Sequence, residues 1–150
     1  MGIRKFAVCV PVTKEDIEDG KQHVEVRQVD VNKGKLENLY EMIGTDIVEK
    51  VSAKYLPEPY VMMVDEEGLL RDNPVMNPVG SLLYGAYEHG QPIVGNIVFM
   101  RLDYSPEGPD LFWMDEDEAI RFAGEILDAS MTKAARAALK KQEKGGILRA

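Results

Sequence analysis

The chain has 150 residues, 45% of them apolar and 29% charged, and a formal net charge of -8. That length suits one domain burying roughly 70% of its unfolded surface, and the apolar content excludes a disordered chain. No apolar run approaches the roughly 18 residues that cross a bilayer, and the first run is too short and too soon broken by charge for a secretory signal, so a cytoplasmic location without a membrane partner is expected.

Residues 4 to 12 predict a first strand, with Phe6, Val8, Val10 and Val12 on one side and Ala7 and Cys9 on the other. A partly apolar second side marks a central strand. The polar stretch from Thr13 to Gln22 reads as a loop or hairpin connection. HVEVRQVDV then alternates at Val24 and Val26 and changes phase to Val29 and Val31, which predicts a half-buried strand with a bulge. From 33 to 43, Leu36, Leu39, Tyr40 and Ile43 recur at helical spacing, with Gly44 placed as a left-handed cap. A strand with one wet face follows over 46 to 53, and prolines 57 and 59 make 55 to 60 an extended connection.

Val61 to Val64, the acidic turn Asp65-Glu66-Glu67-Gly68, and Leu69 with Leu70 read as a hairpin tip on a type I turn. Asn77-Pro78 is a helix start, because the asparagine side chain accepts from free backbone amides and proline has none to leave unpaired. That helix is expected to reach His89, with Gly90 beyond it. IVGNIVFM, 93 to 100, predicts a central strand, and 103 to 109, with two prolines and a glycine, predicts a loop. Asp115 and Glu118 have capping-box spacing for a helix over 116 to 128, and Ser130 or Thr132 would cap a second helix ending near 144.

This order predicts an α+β fold: a mixed or mainly antiparallel sheet with short helices packed on it and a carboxy-terminal helical pair. Residues 1–115 would form the core domain and 116–150 a helical extension packed on it or projecting from it. The last 20 residues are +5, so residues 1 to 130 carry 13 net negative charges. An acidic body repels phosphates, whereas the basic tail, 133 to 149, is read first as a solvated helix lying near that body, with binding of an acidic protein or a nucleic acid as the alternative. Its thin alanine stripe leaves room for a homo-oligomer. Cys9 is the single cysteine, which excludes an internal disulfide and predicts a buried, inert thiol.

LENLYEMIGTDIVEKV (36 to 51), VMMVDEEGLL (61 to 70), NPVMNPVGSLL (73 to 83) and PIVGNIVFM (92 to 100) resemble, in order and spacing, the bacterial and phage family called domain of unknown function thirty-eight forty-six. The matching residues are Gly44, Asp65 to Gly68, Asn77 and Gly95, and the resemblance covers residues 23 to 104. It implies a small protein found in phages and other mobile elements, sometimes near antirestriction functions, and it carries no catalytic residue.

Chemistry read from the residues is mostly negative. The carboxylate clusters at Asp65 to Glu67 and Asp115 to Glu118 lack the alternating ligands of a calcium loop, and His23 and His89 are too few for zinc. Ser81 lacks a nucleophile-elbow context, and no phosphate-binding glycine fingerprint is present. No catalytic residue, metal or cofactor is expected. Arg71, Asn73, Asn77, Tyr84, Tyr87 and Arg101, with His89, form the candidate ligand- or partner-binding set, because such side chains supply stacking planes and fixed hydrogen bonds. The expected function is binding of a host protein or a small nucleotide-like ligand, in an antidefence or host-takeover role. Two alternatives stay open: a divalent-metal hydrolase or nuclease using the carboxylates around Asp65, and an acidic mimic of DNA.

Overall fold

The computed structural model describes residues 4–20 and 22–126. Its six strands, β1 (Phe6–Val10), β2 (Glu25–Gln28), β3 (Val48–Val51), β4 (Tyr60–Asp65), β5 (Ile97–Ser105) and β6 (Gly108–Phe112), form one sheet. The order is β2-β1-β5-β4-β3, every pairing is antiparallel, and β6 pairs with the outer half of β5. Between and after the strands lie α1 (Lys14–Glu18), α2 (Lys35–Ile43), α3 (Pro78–Tyr84), α4 (Ala86–His89) and α5 (Glu116–Arg121), the last running into a π turn, Phe122–Ile126. The fold is α+β, as expected.

The strand alternation divides the core into two layers. Phe6, Val8, Val10, Met62, Val64, Ile97 and Phe99 face α3 and α5, where they meet Val79, Leu83, Ala119 and Phe122. Ala7, Cys9, Val61, Met63, Val98 and Met100 face α2 and meet Leu39, Met42 and Ile43. Each large side chain removed from water contributes about 1.5–3 kcal/mol, so the strands buried on both faces, β1, β4 and the inner half of β5, anchor the domain. Cys9 is 3% exposed, and burial pushes its thiol up to about 12, the unreactive state expected of it. No helix among the described residues is long and apolar enough to cross a membrane.

Several elements depart from the expectation, each for a local reason. The connection after β1 contains α1, capped by Thr13, whose hydroxyl accepts from the Asp16 amide. β2 has no bulge: its register with β1 is constant from Phe6↔Gln28 to Cys9↔Glu25, and Val29 extends it by donating to the Lys5 carbonyl. Val24 and Val26 lie exposed on one face while Val29 is buried against α2 on the other, which is the source of the phase change. The acidic turn is not a hairpin tip. β4 ends at Asp65, and Gly68–Leu70 forms a 3-10 turn that leaves Leu69 and Leu70 in solvent. Gly68 is needed there because a Cβ would sit 2.4 Å from Val94 Cγ2.

The helix at Asn77 is capped as expected, but Gly85, at φ 82°, closes it after Tyr84 and separates α4. β5 begins at Ile97, because Ile93 accepts from the Asn77 amide and Gly95 donates to the Val75 carbonyl, which ties this stretch to the α3 entry. β5 then continues to Ser105 and returns as β6, where a loop is expected. Pro109 is tolerated opposite Tyr104 because its nitrogen owes nothing to the ladder there. The start of the 116–150 extension packs into the core through Ala119 and Phe122, and its second helix and basic tail lie outside the described residues.

Candidate functional site

The candidate side chains that the structure describes do not converge on one site. Asn77 is fully buried and its amide is spent on the fold: Nδ2 donates to the carbonyls of Val10 (3.0 Å) and Gly95 (2.9 Å), while Oδ1 accepts from the Gly80 amide (3.0 Å) and Gln22 Nε2 (2.8 Å). With both donors and both acceptor directions engaged, it has nothing left for a ligand. Asn73 is an exposed turn residue at φ 56°. The side chain of Tyr87, like that of His89, lies outside the described residues.

Arg71 and Tyr84 stand near the end of β4 at Asp65. Arg71 Nε and Nη2 donate to the Asp65 carboxylate at 3.0 and 3.2 Å, and Nη2 also donates to Thr45 Oγ1 at 2.7 Å. Asp65 Oδ1 further accepts from the Glu67 amide. Tyr84 is half-buried and lines a small cleft of about 130 Å³ with Asp65, Glu66, Leu69 and Leu70. Arg101 belongs to the other end of the same strand pair, opposite Tyr60. Five strand steps of ~3.3 Å put the two ends ~17 Å apart.

At the Tyr60 end a polar network fastens α5 to the sheet. Glu118, 9% exposed, accepts from Arg101 Nη1 with both oxygens, at 2.7 and 2.9 Å, and from the Tyr60 hydroxyl at 2.9 Å. Burial, and then the bond to Glu118, push the Tyr60 phenol up to about 12. Phe122 packs against Tyr60 in a tilted contact, with ring centroids 4.5 Å apart. The Asp115 carboxylate caps α5 through the Glu118 amide, but the Glu118 side chain does not return the bond as a capping box would, since Arg101 holds it.

Beside this network lies the larger cleft, about 410 Å³, a size within the range of ligand sites. Lys54, Leu56, Pro59, Tyr60, Leu102 and Tyr104 are among its walls, and Tyr104 is 78% exposed. The wall from β3 to β4 is held from behind. The Tyr55 amide donates to the Leu83 carbonyl, and Lys54 Nζ (2.7 Å) and the Tyr55 hydroxyl both donate to Glu88.

One wall of the cleft is an unfinished strand edge. Continuing the β4–β5 register past Tyr60↔Arg101 sets Pro59 opposite Leu102, and the Leu102 amide does donate to the Pro59 carbonyl at 2.8 Å. Proline has no amide to return, so β4 gives the Leu102 carbonyl nothing. One step of the ladder further, Pro57 is already folded into a turn whose carbonyl accepts from the Tyr60 amide, and the Tyr104 amide turns to its neighbour's side chain, Asp103 Oδ1. The carbonyls of Leu102 and Tyr104 thus face the cleft without a strand partner.

Leu102, Tyr104, Tyr60, Lys54 and Glu118 were not among the sequence candidates. The two prolines are a signal that a ladder stops, but which strand is left open depends on a pairing the sequence does not display. Among the described residues, no three His, Cys, Asp or Glu side chains come together in a way that could hold a metal ion.

A family model described as a domain of unknown function (DUF3846) matches residues 16–111, well over half of the chain. No curated protein and no solved structure matches. The matched span contains β2 to β5, all of β6 but its last residue, and every wall of the larger cleft, while β1 lies before it.

Proposed function

This chain belongs to the family described as a domain of unknown function, DUF3846, and from that premise we propose that it acts by binding, taking an extended segment of a host protein into the cleft beside the outer half of β5. The observation that carries this reading is the open edge at Leu102 and Tyr104 inside a cleft of about 410 Å³. An extended segment laid there would donate its amides to the two free carbonyls, as a further strand does in strand-addition complexes, and Leu56, Pro59 and Tyr104 would take its side chains. With the wall residue Lys54 paired to Glu88, Glu58 on the cleft wall and Asp103 beside it leave an acidic balance, which suits a segment with Lys or Arg flanking its apolar residues. The phage or mobile-element setting implied by the resemblance makes a host protein the natural partner. Catalysis by Asp65 has less support, because that carboxylate is engaged by Arg71 and by the Glu67 amide.

The test is capture from a host lysate on the immobilised full chain, with Leu102→Asp and Tyr104→Ala as comparisons and a nucleotide panel followed by thermal shift. A captured protein that both substitutions release, and that shields the exposed Tyr104 side chain from chemical labelling, supports the reading. Capture unaffected by either substitution overturns it, and a nucleotide-dependent shift abolished by Tyr104→Ala replaces it with a small-ligand site.

A further inference from the structure

The opposite margin of the sheet carries an independent interaction surface. Among the described residues β2 pairs with β1 along one side only, and all four of its residues are exposed. Sheet edges are ordinarily blunted by shortness, by charged side chains, by proline or by a bulge, because an open row of amides and carbonyls invites another strand. β2 reads Glu25-Val26-Arg27-Gln28, its register with β1 is uninterrupted, and Val24 and Val26 remain 39% and 37% exposed. The strand is short and charged, but it has no proline and no bulge, and its two charges are of opposite sign.

The charges on β2 are complementary to themselves in one arrangement only. When two copies of a strand pair antiparallel about a two-fold axis normal to the sheet, residues opposite one another share a face, so the axis must pass through a residue rather than between two. Centred on Glu25, the pairing sets Glu25 against the partner's Glu25. Centred on Arg27, it sets Arg27 against the partner's Arg27. Centred on Val26, it sets Val26 against the partner's Val26, Glu25 against the partner's Arg27 and, by symmetry, Arg27 against the partner's Glu25. Two opposite-charge pairs then flank an apolar centre, and Val24 covers the partner's Gln28. We infer that the protein forms a homodimer by antiparallel pairing of β2 with β2 about Val26, joining the two sheets into one.

Sedimentation equilibrium of the full chain over a concentration series tests this, with circular dichroism to check that each variant is folded. The expected species has twice the 16.8 kDa mass of the chain. Glu25→Arg alone, or Arg27→Glu alone, turns both facing pairs into like charges and weakens the dimer by about tenfold or more. The doubly exchanged chain, Glu25→Arg with Arg27→Glu, recovers it. A mixture of the two single variants forms a heterodimer although neither associates alone, because each then meets the opposite charge. A wild-type chain that stays monomeric throughout the series overturns the inference, and so does a dimer whose strength is indifferent to the single reversals or is not restored by the exchange.

Discussion

The two ends of β4 hold comparable chemistry, a largely buried acid paired with an arginine, in different roles. At the far end Asp65, its side chain 13% exposed, meets Arg71, six residues away, whose side chain is 46% exposed. At the near end Glu118 meets Arg101 across 17 residues and Tyr60 across 58, and its own side chain is 11% exposed. The first pair closes a local turn. The second fastens a helix to the sheet and supports one side of the cleft. The acidic run that is conspicuous in the sequence is therefore satisfied by its neighbours, whereas the inconspicuous end holds the open strand edge.

This contrast can be broken most directly at Glu118. Glu118→Ala leaves the Arg101 guanidinium partly buried without its carboxylate and should cost roughly 2–3 kcal/mol in urea unfolding, somewhat less than the loss for a fully buried pair, because Arg101 keeps some access to water. Equal costs for Glu118→Ala and Asp65→Ala would erase the distinction between the two ends. Tyr60→Phe comes next, at roughly 1–2 kcal/mol for a hydrogen bond to a charged acceptor. It also has a pH signature. The Tyr60 phenol rises from 10.0 to about 12 in the folded chain, so as pH climbs through this window the unfolded state loses its proton first and is favoured. Wild-type stability should fall over that window as pH rises, and Tyr60→Phe should lack this part of the decline.

Asp65→Ala should cost less, about 1 kcal/mol, because the half-exposed Arg71 regains water when its partner is removed, and the part of the loss that is screened at the surface shrinks in high salt. Smallest is Tyr104→Ala, expected to change stability by no more than about 0.5 kcal/mol while abolishing partner capture. A large stability loss there would make Tyr104 a packing residue and remove it from the proposed site.

Much of the fold is legible because it rests on local periodicity. Phe6, Val8 and Val10 against Ala7 and Cys9, Gly44 in a left-handed cap, and Asn77-Pro78 at a helix start all lie where spacing and cap chemistry put them. β6 is not legible in the same way, because an edge strand holding Pro109 and half in water has no apolar signal. The candidate site is the least legible part. Asn77 carries the right chemistry for recognition, but four internal bonds consume it, and Arg71 and Arg101 are separated by the length of a strand.

By itself the sequence determined the class of fold, the two-sided core strands, the caps and the family, since each depends on residues close in the chain or on the order of motifs. Only the tertiary structure decided which polar groups are free. Pro59 becomes the end of a ladder only when Leu102 lies opposite it, Glu118 becomes a helix fastener only when Arg101 and Tyr60 reach it, and β2 becomes an open edge only because no described residue pairs beyond it. Whether a hydrogen-bonding group is spent or available is set by its partner, and these partners lie far away in the chain.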